Sequence, residues 1–178
     1  MKALDVIRVR CHASKGPIIR YALLYAGVGI AIEVVKRTTP GVKRLFGQRL
    51  SYPAGALRAI WAYRAPLMRV TCDGKAREGR FLLVSASNAE ISGGGMRLAP
   101  GARMDDGLLD VNMCEAVNRL AAVVLLGKIC RGRHTSHPRL RYFPARTVAV
   151  DANPSIEAAA DGELIGHTPA QFEVVPLI

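Results

Sequence analysis

Asp161-Gly162-Glu163 carries the residue types best suited to acid–base work on a hydroxyl group. A carboxylate beside a substrate hydroxyl accepts its proton as that oxygen attacks a phosphoryl group. Asp-Gly is equally the commonest chemistry of a tight hairpin turn, so spacing alone leaves both readings open. Asp73-Gly74 is similar, but Lys75 follows it, and it reads as a plain turn.

A second stretch with chemical potential runs from Gly93-Gly94-Gly95-Met96 to Pro100. Three glycines leave the backbone bare, so it can take positive φ and lie against a ligand or another strand. The run fits neither a P-loop nor a dinucleotide fingerprint. Arg103-Met104-Asp105-Asp106-Gly107-Leu108 follows. There one carboxylate and two backbone carbonyls suit a magnesium ion that keeps several waters, and the same residues suit an ordinary turn. Asn88, ahead of the glycines, either contacts a ligand or caps the loop. His134, His137 and His167 lack metal-ligand spacing, and the four cysteines are scattered with no C-x-x-C pair, which points to reduced thiols.

These groups need a frame. Strand-length apolar runs punctuated by Gly, Pro and Asp predict strands over Tyr21–Ala26, Leu67–Cys72, Arg80–Ser87, Leu108–Met113, Arg146–Val150, Ser155–Ala160 and Phe172–Val175. The 67–87 pair reads as a hairpin with a loop longer than two residues. Helices are expected over Ala31–Lys36, after Pro53 with Leu57, Ile60 and Trp61 on one face, and through Val117, Leu120, Ala121, Val124 and Leu125, with a C-cap near Gly132. Residues 38–49 read as an exposed basic connection. The sum is mostly β, α+β in kind, with two or three helices.

The 178 residues suffice for one well-cored domain, and half of them are hydrophobic. The net charge of +11 favours anionic partners. Residues 1–50 hold ten Lys/Arg against Asp5 and Glu33, whereas 151–178 hold five acids and no base. Aromatics are only 6%, and no recognition motif accompanies the basic residues, which speaks against nucleic acid. The longest apolar run, Tyr21–Ile32, is too short to span a bilayer, and no signal peptide is visible.

Taken in order, Tyr21 to Gly29, Asn88, Gly93-Gly94-Gly95-Met96 through Pro100, Asp105-Asp106-Gly107-Leu108-Leu109-Asp110, Asp161-Gly162-Glu163 and Phe172-Glu173-Val174-Val175-Pro176 resemble the C-terminal domain of the diacylglycerol-kinase-like lipid kinases. That superfamily includes bacterial lipid kinases, sphingosine kinases and ceramide kinase. Each motif alone is weak, and the ordered set is strong. The resemblance implies a β-sandwich-like fold similar to the NAD-kinase C-terminal domain. It covers nearly the whole chain, so 1–178 is expected to be a single lipid-kinase C-terminal domain. The family's N-terminal α/β domain, with its Gly-Gly-Asp-Gly-Thr loop for ATP, is expected to be absent.

The resemblance also assigns roles. The position of Glu163 is the proton acceptor, with Asp161 beside it to orient the lipid hydroxyl. Mg2+ is held by Asp106 and by carbonyls at Arg103 and Leu108, while Asn88, Gly93, Gly94 and Gly95 stand near the ligand. ATP would be a co-substrate only through a partner nucleotide domain. The expected partners are a lipid substrate, an anionic membrane surface reached by Lys36, Arg37, Lys43 and Arg44, and an ATP-binding partner or a second copy meeting an exposed apolar or basic patch. The expected location is cytoplasmic, peripheral at the inner membrane surface. The alternative is a non-catalytic remnant or a regulatory lipid- or partner-binding domain.

Overall fold

A computed structural model describes residues 4–14, 16–37, 55–92 and 95–176. Among these, ten strands pair antiparallel: β1 Val6–Ala13, β2 Gly16–Ala22, β3 Tyr25–Gly29, β4 Leu67–Cys72, β5 Lys75–Ser87, β6 Leu109–Glu115, β7 Leu140–Ala145, β8 Thr147–Asn153, β9 Glu157–Ala160 and β10 Glu163–Val175. The sheet runs β2-β1-β10-β8-β4-β5-β3-β9, and β9 also pairs with β10. That last pairing closes β10, β8, β4, β5, β3 and β9 into a ring. The β2–β1 pair extends from β10, and the β6–β7 pair extends from β5.

Period-two alternation explains the ring's interior. On β1, Ile7, Val9 and Cys11 point inward, joined by Met68 and Val70 from β4, Val148 and Val150 from β8, and Phe172 from β10. Strand β3 is buried on both faces because the ring core covers one side and helices cover the other. Its last residue, Gly29, has φ +95°, and a Cβ there would meet the Leu82 carbonyl at 2.6 Å. Only glycine lets β3 turn so tightly against β5 into the helix that follows.

That helix is α1, Ile30–Arg37; α2 covers 55–62, and α3 is Arg119–Cys130. Val34, Ala56 and Ala59 knit α1 to α2, with Leu126 of α3 packed against them. A second apolar layer, including Tyr25, Leu83, Leu98, Leu125 and Leu140, joins the helices to the outer face of the ring. The Asn118 side chain caps α3 by accepting from the Ala121 N–H at 2.8 Å.

Several expectations need correction. The Tyr21–Ala26 strand is two strands, broken by a bend at Leu23-Leu24, and Tyr21 is exposed. The β4–β5 loop has only two residues, since Cys72 pairs with Lys75 and Asp73 and Gly74 both have positive φ. On α2 the buried residues are Ala56, Ala59 and Ile60, while Leu57 and Trp61 are exposed. On α3 Ala122 and Leu125 are buried, and Leu120 and Val124 are 75% and 60% exposed. This helix is apolar around its circumference, so periodicity could not choose a face. Strands β1 and β7 were not expected. Pro53 and residues 38–49 lie outside the described residues.

Candidate functional site

The bend at Leu23-Leu24 gathers residues far apart in sequence. Asp161, at φ 48° in the two-residue turn between β9 and β10, aims its carboxylate at three backbone N–H groups. Oδ2 accepts from Leu23 at 2.6 Å, and Oδ1 accepts from Leu24 at 2.9 Å and Tyr25 at 3.0 Å. The Asp161 N–H in turn donates to the Tyr25 carbonyl at 3.0 Å. Both carboxylate oxygens are therefore engaged with the chain itself.

Asn88 holds the other side of the bend. Its fully buried amide donates to the Leu23 carbonyl at 3.0 Å and the Asp5 carbonyl at 2.7 Å, and its own N–H donates to Leu24 at 2.8 Å. Asn88 thus caps the bend, while its Oδ1 is buried without a partner among the described residues. Asp5 extends the chain of contacts, with its N–H on the Met104 carbonyl and its carboxylate on the Gly107 N–H, both at 2.7 Å. So the Asp161 turn, Asn88 and the acidic turn at 103–110 are joined through backbone groups of residues 5 and 23–25. Asp5 was not singled out in the sequence, because a buried aspartate serving a backbone amide a hundred residues away leaves no local pattern.

Glu163 stands apart from this network. It is exposed at the first position of β10, opposite Ala160, and among the described residues its carboxylate has no hydrogen-bond or ion-pair partner. Its sequence neighbour Leu164 is exposed, as are Leu23 and Leu24 at the bend that Asp161 holds. An exposed carboxylate without a partner can accept a proton from a hydroxyl brought to it.

An apolar cavity of about 100 Å3 lies between the helices and the outer face of the ring. It is lined by Tyr25, Ile60, Leu83, Leu98 and Leu125 among others, and by Ser92, whose buried hydroxyl lacks a partner among the described residues. Tyr25 links cavity and turn, since its side chain lines one and its N–H binds Asp161. One wall comes from the glycine-run segment, where Ser92 and Met96 exchange backbone hydrogen bonds of 2.9 and 3.1 Å and Gly95 has φ +87°. Gly93 and Gly94 lie outside the described residues. Buried polar groups hold the far end of this segment. The Leu98 carbonyl accepts from the Asn112 amide at 2.9 Å and faces His134 Nε2 at 3.0 Å, and the Tyr142 hydroxyl donates to the Pro100 carbonyl at 3.0 Å. Burial lowers the His134 pKa against the carbonyl's pull, so the ring is neutral near pH 7 and carries its hydrogen on Nε2. Asn112, His134 and Tyr142 gave no site signal in the sequence.

In the acidic turn, Asp106 Oδ1 accepts from the Leu108 N–H at 3.1 Å, and Arg103 Nε donates to Asp105 at 3.3 Å. Half-buried Asp110 has its carboxyl pKa raised, first by burial and further by the charge of Asp106, against the lowering effect of the nearby Tyr142 hydroxyl. Among the described residues no three His, Cys, Asp or Glu side chains come together as metal ligands. A cation here would rest on Asp106, carbonyls and water. Such an all-oxygen set suits magnesium, and the nearness of Asp106 to Asp110 favours positive charge.

Lys36 pairs with Glu157 and, at 3.9 Å, with Glu33. The Arg37 side chain, Lys43 and Arg44 lie outside the described residues. No helix among the described residues is long and apolar enough to cross a membrane.

Residues 22–178 match the family model of the YegS C-terminal NAD kinase beta sandwich-like domain. The chain is 28% identical over 176 residues to diacylglycerol kinases of Staphylococcus aureus strains JH9 and Newman, covering 97% of this chain and 55% of each relative. It also resembles the crystal structure of a putative diacylglycerol kinase from Bacillus anthracis, with TM-score 0.71 and 23% identity over 98% of this chain and 54% of that one. A diacylglycerol kinase structure from the same organism gives TM-score 0.61 at 19% identity, covering 98% and 51%. The structural likeness extends to the fold. The chain spans about half the length of the curated relatives it matches.

Proposed function

The chain belongs to the family of YegS C-terminal NAD kinase β-sandwich-like domains, and on that footing we propose that it is the lipid-acceptor, general-base portion of an ATP-dependent lipid kinase. The observation that carries this reading is the Glu163 carboxylate, without a partner among the described residues, beside a corner whose next residue, Tyr25, lines an apolar cavity. The substrate is a lipid alcohol such as diacylglycerol or a sphingoid base. The cavity has room for a few methylene groups, and the Ser92 hydroxyl can bond a polar group near the head of the chain.

In the step proposed, the lipid hydroxyl oxygen bonds to the γ-phosphorus of ATP. The bond from that phosphorus to the bridging oxygen breaks, ADP leaves, and the hydroxyl proton passes to Glu163. Asp161, whose oxygens are both engaged with backbone, acts as a positioning residue that fixes the corner beside Glu163. Asp106, with the carbonyls of Arg103 and Leu108, would hold Mg2+, which when bound would neutralise the acidic turn. The ATP site would come from a nucleotide domain outside these residues. Such a domain would meet the apolar collar of Leu23, Leu24 and Leu164. The domain would work in the cytoplasm, peripherally at the inner membrane. Exposed Leu57, Arg58 and Trp61 on α2 would face anionic lipid, since Lys36 is already paired.

The test is phosphoryl transfer from Mg·ATP to a panel of hydroxyl lipids, with the chain alone and with a separately supplied nucleotide domain. Glu163→Gln should cut turnover by about 10²–10⁴-fold while leaving lipid binding in place. Full turnover in Glu163→Gln would overturn the general-base assignment. Lipid binding with no turnover under any condition would favour the regulatory alternative.

A further inference from the structure

A second opening has different chemistry. A groove of about 510 Å3 lies between the β4–β5 hairpin and the β6–β7 pair. Its floor is apolar, formed by Val70, Cys72, Met113 and Phe143, and its rim carries Lys75, Arg77 and Arg141. Directly opposed residues of an antiparallel pair share a face. Lys75 opposes Cys72, Arg77 opposes Val70, and Arg141 opposes Met113. Those three partners belong to the buried core of the ring, so all three cations stand on the core-facing side of their strands.

Nearby acids are committed elsewhere. Glu78 of β5 pairs with Arg69 at 3.7 Å, and Glu115 of β6 pairs with Arg139 at 3.3 Å. The Asp73 carboxylate takes the N–H groups of Arg146 and Thr147. Among the described residues no carboxylate pairs with Lys75, Arg77 or Arg141. One inward charge on a strand edge deters edge-to-edge aggregation. Three converging on one groove repel each other, and a bound anion relieves that repulsion.

We propose that this groove binds a phosphate group, with the guanidinium forks of Arg77 and Arg141 holding its oxygens and Lys75 adding charge. Thr135, also at the groove, offers a hydroxyl to the same group. The site shares only Leu140 with the apolar cavity, and neither Asp161 nor Glu163 lines it, so it stands independently of the acceptor site. A soluble phosphate ester and a phospholipid head group present the same chemistry, and two arms of one experiment separate them.

In the first arm, inorganic pyrophosphate is titrated calorimetrically into the whole chain. In the second, the chain is pelleted with vesicles of equal parts phosphatidylcholine and phosphatidylglycerol, against phosphatidylcholine alone. The Arg77→Gln/Arg141→Gln double variant should weaken binding by about tenfold or more, and Lys75→Gln by about threefold. The charge-matched double Arg20→Gln/Arg133→Gln, at exposed sites outside the groove, should bind like wild type. Arg77→Lys, which keeps the charge and loses the fork, should fall between, and it carries the test if the double variant does not fold. Loss confined to the pyrophosphate arm assigns a soluble ester, and loss confined to vesicles assigns a head group. Equal loss in both doubles, or no binding in either arm, overturns the proposal.

Discussion

Two Asp-Gly turns of this molecule are close to interchangeable in conformation and different in what they present. Asp73-Gly74 joins β4 to β5 with φ 44° and 81°, and Asp161-Gly162 joins β9 to β10 with φ 48° and 88°. Each aspartate folds its carboxylate onto another corner of the chain. Asp73 takes the N–H groups of Arg146 and Thr147 and the Thr147 hydroxyl, fastening the β7–β8 junction. Asp161 takes three N–H groups and fastens the β2–β3 bend. The difference is the next residue, Lys75 at the first turn and, at the second, Glu163, whose carboxylate has no partner among the described residues. A staple built on a tight turn is a structural device, and the proposed chemistry falls to the residue beside it.

The comparison breaks if the two roles cannot be separated by mutation. The largest effect should be on turnover: Glu163→Gln loses about 10²–10⁴-fold with an unchanged melting temperature, as befits a group outside the hydrogen-bond network. Asp161→Ala should do the reverse in kind, destabilising by about 2–3 kcal/mol because three backbone donors lose a charged acceptor. Calorimetric melting checks it, and a variant as stable as wild type would end the staple assignment. Asp73→Ala should cost about 1–2 kcal/mol, because both its backbone donors are exposed and water replaces the acceptor, whereas Tyr25, one of the three donors to Asp161, is part-buried. It should leave lipid phosphorylation alone.

The smallest effect sharpens the account of Asp73. Burial alone would raise its carboxyl pKa, but hydrogen bonds from Arg146 and Thr147, with the Arg146 charge, leave it lowered overall. A lowered folded-state value means stability present above the ordinary 3.8 and lost as pH falls through the folded value. The melting-temperature gap between wild type and Asp73→Asn should therefore hold near neutral pH and narrow below 3.8. A gap unchanged in acid would remove the charge from the explanation.

Both turns were legible because Asp-Gly and the flanking apolar runs are local signals. Strand β4 and helix α1 emerged for the same reason. Strand β7 did not, since Leu140–Ala145 holds Arg141 and Pro144. Pro144 is tolerated because, among the described residues, β7 pairs only with β6 and its other edge is unpaired. At the candidate site the glycine run, Asn88 and the acidic residues stood out by type. Their joining through Asp5 and the Leu23-Leu24 bend did not, because those contacts depend on closure of the whole ring. Asp161 shows what reading by type leaves out: its residue type draws the eye to chemistry, and its contacts with the Leu23, Leu24 and Tyr25 amides leave no local signal.

Strand β10 carries Glu163 and pairs with β1, β8 and β9 together. Its partners lie up to 169 positions earlier, as where Val6 opposes Val175, and the 2.7 Å pair between Arg8 and Glu173 spans 165. Contacts of such sequence separation form late, after a large loop-closure cost, and slow the folding of β-rich chains. During synthesis, the edges of β1, β8 and β9 stay open until β10 has emerged, and the molecule spends that interval exposed to misassembly. The strand that carries Glu163 is thus the one that closes the ring, so an incompletely folded chain would lack the corner at which the candidate base sits.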